Sequence, residues 1–295
     1  MKICYIGKHD QPKSNDDEGS ITYSLEKLGH EVQRIREIRA QNAHKIDCDF
    51  YLFHHWHDIN TLSKLPGKKV YWCFDLIDFP DSTISARCKG RIDWIRTITR
   101  KCDLGFLTDG DWVNHDMSGK LYCLRQGADG RIVSDKVGTH TGEIPILFTG
   151  ITRGGRERQS FVEEMHSRYG KDFYHYQSGR YRESLRELVQ SAKIVVAPDG
   201  PCTSRYWSNR VYLTLGFGGF LLHPYCDKLT DEYKDCKEIV YYSSREQLHR
   251  NIGYYLAHPE QRQSIAEAGL ARTKKEHLYE HRVAKLIEIV KERLF

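Results

Sequence analysis

Short apolar runs alternate with amphipathic stretches along the chain. Residues 2–6, 31–35, 50–56, 69–74, 104–108 and 121–124 each read as a strand. A helix is expected over 20–28, ended by Gly29 at the position where helices take a left-handed cap. A basic amphipathic helix is expected over 85–100. Strands separated by helices need crossover connections, hence a mostly parallel sheet covered on both faces.

The stretch 126–143, QGADGRIVSDKVGTHTGE, breaks this rhythm with four glycines among polar residues, and 131–143 reads as a linker. Strands then resume over 144–148, 173–176, 193–197, 220–223 and 238–242, with helices over 156–169 and 182–191. Ser244 and Gln247 have the spacing of a capping box opening a helix over 245–257. Pro259 suits the first position of the next helix, towards residue 272, and 282–295 carries a helical apolar stripe. The expected architecture is α/β, two Rossmann-like domains over 1–130 and 144–280 with a C-terminal helix over 281–295. Two such domains in tandem would turn the carboxyl ends of their strands to a cleft, where open parallel sheets bind ligands.

Composition narrows the class without naming a chemistry. The chain has 295 residues, 39% hydrophobic and 29% charged, enough for two real cores. No apolar run approaches the roughly 20 residues that span a bilayer, and MKICYIGKHD reads as a strand and not a signal peptide. Nine cysteines, an odd number with no Cys-x-x-Cys pair, favour reduced thiols and a cytoplasmic setting over a disulfide framework. A net charge of +5 is too mild to demand nucleic acid and remains compatible with phosphate-bearing ligands.

The stretch 201–224, PCTSRYWSNRVYLTLGFGGFLLHP, reads as a helix bearing Asn209 and Arg210, a glycine turn, and a buried strand. An arginine in a helix that also supplies Val211, Leu213 and Leu215 to the core is costly to bury without an anion or a carboxylate partner. Gly218 and Gly219 would let a backbone come close to a ligand. Residues 150–156, GITRGGR, join a strand to a helix. They match neither the Walker A pattern nor a dinucleotide loop, yet Gly150, Arg153 and Arg156 could cradle a phosphate.

His54-His-Trp-His-Asp58 ends an apolar run, and only His55 and His57 of its histidines share a face with Asp58 just beyond. Asp75 closes the next strand, where a carboxylate can take a proton from a hydroxyl or simply satisfy a loop. Asp109-Gly-Asp111 reads as an ordinary turn before it reads as a cation site. The basic segments 34–39 and 87–101, with Trp56, Trp94 and Trp112, are either solvated faces and core anchors or a groove for a polyanion.

As a set, Ile146-Leu-Phe-Thr-Gly150 with Arg153 and Arg156, Ser208-Asn-Arg210, Gly218-Gly-Phe-Leu-Leu222 and the tail through His258-Pro-Glu-Gln-Arg262 and Ile265-Ala-Glu-Ala-Gly269 resemble the donor-binding domain of the group 1 GT-B glycosyltransferases. The likeness covers about 144–282, and Leu124-Arg-Gln-Gly-Ala-Asp129 falls where such families leave their first domain. The resemblance implies transfer of a sugar from a nucleotide-sugar donor, UDP-linked, to an acceptor hydroxyl without a divalent metal. Gly150, Arg153, Arg156, Asn209, Arg210, Gly218 and Gly219 would hold the donor. His55, His57 and Asp75 would serve the acceptor, and the last helix would pack back on the first domain. Many retaining members carry two glutamates eight positions apart; here those positions hold Arg205 and Leu213. The acceptor is expected to be a glycan or a small molecule. A hydroxymethylated base in DNA, or a nucleotide- or nucleic-acid-binding protein without turnover, is the alternative.

Overall fold

The central strands are buried on both faces, as the sequence pattern requires of parallel sheets enclosed by helices, while the edge strand Glu31–Arg36 has no buried residue. The computed structural model describes residues 1–8, 16–54, 59–76, 91–113, 118–138, 144–152, 156–177, 182–198 and 205–295. They form two compact units, one of 1–126 with 279–295 and the other of 127–278.

In the first unit β1 (Lys2–Gly7), β2 (Glu31–Arg36), β3 (Phe50–Phe53), β4 (Lys68–Cys73), β5 (Leu104–Leu107) and β6 (Leu121–Cys123) form a parallel sheet in the order β2-β1-β3-β4-β5-β6. The period of two divides its side chains cleanly. Ile3, Tyr5, Phe50, Leu52, Val70, Trp72, Leu104 and Phe106 face one core. Cys4, Ile6, Tyr51, Phe53, Tyr71, Cys73 and Leu107 face the other.

Helix α1 (Asp17–Lys27) starts before the expected residue 20, because Asp16 is its cap and accepts the Gly19 N–H at 2.7 Å. Ile21 and Leu25 bring it onto the first of those cores. Of the basic helix expected over 85–100, the described part is Arg91–Lys101. A 3-10 stretch over Glu37–Lys45 went unforeseen; it buries only Ala40 and Ala43.

The last helix, Tyr279–Leu294, belongs to this first unit and begins three residues earlier than its apolar stripe implied. Tyr279, Val283, Leu286, Ile287 and Val290 recur at helical spacing and enter the same core as α1. Lys27 and Glu280 tie it to α1 at 3.1 Å, and Arg282 Nε donates to the Gln126 carbonyl at 3.0 Å.

The second unit repeats the plan with β7 (Ile144–Thr149), β8 (Phe173–Tyr176), β9 (Ala192–Val196), β10 (Leu221–Pro224) and β11 (Val240–Tyr242). Their parallel order is β11-β10-β9-β7-β8. Leu147, Val195, Leu221 and Tyr241 supply one core, while Ile146, Phe148, Ile194, Val196, Leu222 and Val240 supply the other. Helices Arg156–Tyr169, Arg182–Ser191, Arg210–Gly216, Arg245–Ala257 and Pro259–Glu276 cover them.

The polar stretch after residue 126 is not a free linker throughout. Residues 127–138 pack within the second unit: Ser134 Oγ donates to the Phe217 carbonyl at 3.0 Å, and Val137 joins the core. Its remainder, 139–143, lies outside the described residues. Among the described residues no helix is long and apolar enough to cross a membrane.

Candidate functional site

Each sheet has one place where the chain reverses its direction of growth. In the first sheet it falls between β1 and β3, in the second between β7 and β9. At such a switch the following loops diverge to opposite faces and leave a crevice at the carboxyl ends of the strands. The polar side chains of interest gather at these two points.

In the second unit, β7 ends at Thr149 and the chain turns at Gly150, whose φ is +154°. The Gly150 N–H donates to the Tyr176 carbonyl at 2.9 Å, which ties the turn to β8. His175 Nε2 lies 2.7 Å from the Gly150 carbonyl, so that nitrogen carries the proton and donates. The same ring stacks on Phe148 at 4.9 Å.

Arg210 opens the helix Arg210–Gly216 and reaches across to this turn. Its Nε donates to the Thr149 carbonyl at 2.7 Å, its Nη1 to Ser208 Oγ at 3.2 Å, and its guanidinium lies 5.5 Å from the centre of the Phe148 ring. A β-carbon on Gly150 would meet Nη2 at 2.9 Å, so the glycine is what lets the arginine lie there. A cation is thus held at a sheet switch point by a main-chain oxygen and a hydroxyl.

The segment before Arg210 is braced from behind. Trp207 Nε1 donates to Tyr212 Oη at 3.0 Å, and Tyr212 donates in turn to Glu232 Oε2 at 2.6 Å. His277 Nδ1 stands 3.5 Å from the same carboxylate oxygen. Trp207 and Tyr212 are buried, so this chain of hydrogen bonds is shielded from water and fixes the entry to the helix.

In the first unit the corresponding cluster is Tyr5, Glu18, His54 and Trp72. His54 Nδ1 lies 2.9 Å from the Trp72 carbonyl, which only accepts, so Nδ1 bears the proton. In the neutral ring Nε2 is then the acceptor, and the Tyr5 hydroxyl donates to it. Burial first, and the nearby Glu18 carboxylate second, push the Tyr5 phenol well above its ordinary range, which keeps it a donor. Glu18 is buried and accepts the Lys8 N–H at 3.0 Å.

The structure joins some expected residues and separates others. Gly150 and Arg210 are brought together. Asn209 precedes the helix instead of lying within it, as the capping residue, and contributes no side-chain cap. Gly218 and Gly219 lie elsewhere: they precede β10 and so stand at the amino ends of the strands, the edge opposite Gly150. Gly218, with φ +76°, ends the helix, and the Gly219 N–H donates to the Thr214 carbonyl at 2.9 Å. Added β-carbons there would meet Val137 Cα at 2.8 Å and Val189 Cγ1 at 2.5 Å. What stands against their bare faces is this chain's own packing.

Arg153, His55 and His57 lie outside the described residues, and of Arg156 only its place at the head of its helix is described. Asp75 follows β4 and is exposed at its carboxyl end. Asp109 is buried just before the helical turn Gly110–Val113, which accounts for the Asp-Gly pattern as local structure. Among the described residues no three His, Cys, Asp or Glu side chains converge as a metal site would need.

Sequence reasoning passed over His54, His175, Trp207, Tyr212 and Glu232. For His175 a signal was present, since its strand is four residues long and places it next to the Gly150 turn in register. Glu232 had none: 20 residues separate it from Tyr212.

Residues 151–288 match the family model described as glycosyl transferase-like. No curated protein matches the chain. Among solved structures, the sucrose-phosphate synthase of Thermosynechococcus elongatus superposes with a TM-score of 0.74, over 99% of this chain and 98% of that one, at 10% identity. HepE of Anabaena, solved in complex with UDP-glucose, gives 0.68 over 99% of this chain and 100% of that one, also at 10% identity. AviGT4, a glycosyltransferase involved in avilamycin A biosynthesis, gives 0.63 over 100% and 98% at 12% identity. The chain therefore has the fold of the GT-B glycosyltransferases, and its similarity to the glycosyl transferase-like family model extends over residues 151–288.

Proposed function

We propose that this protein is a glycosyltransferase that draws its sugar from a nucleotide diphosphate donor, UDP-linked as in the HepE complex. The observation that carries the reading is the seat of Arg210, whose guanidinium rests on the Thr149 carbonyl at 2.7 Å beside Gly150. An arginine at the end of a strand can turn the planar fork of its guanidinium to phosphate oxygens. Arg153 and Arg156 would complete the diphosphate grip from the loop after Gly150. The helix Arg156–Tyr169 would add its positive end to the same charge.

When the glycosidic bond breaks, the leaving nucleotide gains negative charge. Arg210 would stabilise that charge, with Asn209 beside it as a further polar contact. A preorganised cation of this kind contributes on the order of 10²- to 10³-fold in rate. No divalent cation is required in this scheme, because arginines and backbone N–H groups supply the positive potential. On the acceptor side, Asp75 is the carboxylate placed at a strand end to receive a hydroxyl proton, with His55 and His57 as the other candidates. The acceptor hydroxyl belongs to a glycan or a small molecule.

Release of nucleotide from a panel of UDP-sugars, with and without EDTA, tests this. Release that persists in chelator is the expected result and should fall by about two orders of magnitude in Arg210→Ala. Loss of release in EDTA would return the cation role to Asp109 and Asp111. No release from any donor, or unchanged turnover in the variant, would remove the proposal.

A further inference from the structure

A trans peptide is planar, so the carbonyl of one residue and the N–H of the next point in opposite directions. Whatever grips a loop carbonyl therefore aims the amide that follows it. Among the described residues no peptide bond is cis, and the loop leaving β7 is gripped at two successive carbonyls.

His175 Nε2 donates to the Gly150 carbonyl at 2.7 Å. Arg158, in the first turn of the helix Arg156–Tyr169, donates from Nη1 to the Ile151 carbonyl at 3.0 Å. The Ile151 N–H consequently points away from the imidazole, and the Thr152 N–H away from the Arg158 guanidinium. The Gly150 N–H is already used, on the Tyr176 carbonyl at 2.9 Å. Among the described residues neither the Ile151 nor the Thr152 N–H has an acceptor. Ile151 is exposed, so this stretch of backbone is open to a ligand.

The histidine is set for the task by its neighbours. Strand register places His175 opposite Phe148, and the two rings lie 11° from parallel at 4.9 Å. That stack fixes the imidazole plane while Nε2 reaches the carbonyl. The Arg210 guanidinium lies 5.5 Å from the centre of the same Phe148 ring and borders the bare face of Gly150. The cation and the aimed amides thus adjoin one glycine.

We propose that His175 and Arg158 are positioning residues for a diphosphate, each turning a carbonyl aside so that the next N–H, of Ile151 and of Thr152, meets phosphate oxygens. The proposal rests on the reading of a nucleotide diphosphate donor, and it adds two backbone donors to Arg210. A loop that offers its N–H groups attracts an anion, whereas a carbonyl oxygen turned the same way repels one. The two side chains act through the backbone by deciding which end of each peptide faces the ligand.

Two substitutions of His175 separate this role from packing. His175→Phe keeps the stack on Phe148 and loses the N–H, whereas His175→Gln loses the stack and keeps a side-chain donor. By titration calorimetry, His175→Phe should weaken UDP binding by about tenfold, and His175→Gln should recover most of that loss. The reverse order, or native affinity in His175→Phe, would overturn the proposal. Arg158→Met should also bind UDP less tightly, and unchanged affinity there counts equally against it. In the native chain UDP should move the Ile151 and Thr152 amide resonances downfield in proton–nitrogen correlation spectra. UDP binding that leaves both in place would sink this proposal and spare the donor reading, while a native chain that binds no UDP removes both. If His175→Phe does not fold, the native spectra and Arg158→Met decide.

Discussion

Arg210 Nη2 and the position that a β-carbon would take on Gly150 are 2.9 Å apart, so glycine and guanidinium occupy adjoining space at the end of β7. A methyl group there must move either the arginine or the turn. Because the guanidinium is the far end of a flexible side chain, it is the part that yields.

Gly150→Ala should therefore act on ligand binding more than on folding. Residues other than glycine are strained by about 1–3 kcal/mol at such a backbone conformation, which bounds the loss of stability. UDP affinity, measured by titration calorimetry, should fall roughly tenfold or more, equivalent to at least about 1.4 kcal/mol. Unchanged affinity would mean that Arg210 does not depend on this turn.

The brace behind the same arginine gives a second expectation. Tyr212→Phe removes the hydroxyl that links Trp207 Nε1 to Glu232 Oε2. Thermal or urea unfolding should register about 1–3 kcal/mol of destabilisation, since a buried donor and a carboxylate lose their partner together. If the brace positions residues 207–210, KM for the donor should also rise while kcat changes less. A loss of stability with no change in KM would confine Tyr212 to packing.

Arg262 offers a test of folding alone. It is buried, and its Nη1 donates to the carbonyls of Tyr255 and, at 3.2 Å, of Leu256. It thereby satisfies the last turn of the helix Arg245–Ala257, whose carbonyls have no partner within their own helix. Burial lowers its basicity, so the charge is kept at a desolvation cost that these contacts must offset. Arg262→Leu should cost about 1–3 kcal/mol in urea unfolding. A variant as stable as the native chain would show that water caps the helix equally well.

Cys48 should be distinguished by its pH dependence. Alkylation proceeds through the thiolate, so its rate should rise through about pH 7, below the ordinary thiol value of 9.0. The cause is hydrogen bonding to the charged form, so removing a donor has a definite sign. Cys4→Ala should move the midpoint upward, as should Tyr51→Phe to a lesser degree. Mass spectrometry of the Cys48 peptide after timed iodoacetamide exposure gives the rates.

The alternation of short apolar runs with helical stretches was enough to predict two parallel α/β layers. A strand enclosed on both faces must be apolar on both, as in ICYI and ILFT, and such runs stand out from their surroundings. Helix ends marked by local chemistry were legible in the same way, and Ser244 does accept the Gln247 N–H at 3.2 Å. Arg210 drew attention because a cation among core residues needs a partner.

Its partner was not legible, since the Thr149 carbonyl lies 61 residues away and main-chain oxygens carry no sequence signature. Gly218 and Gly219 looked like Gly150 in sequence. Only strand direction separates them: residues after a parallel strand stand at its carboxyl end and residues before it at the other. The histidines teach the same lesson, because in His54-His-Trp-His the one with a described role, His54, takes its proton state from the Trp72 carbonyl on a neighbouring strand. Local sequence determines which elements form, because propensity and capping act within a few residues. Which groups then meet is a matter of sheet order and register, and these are set by packing between segments far apart in the chain.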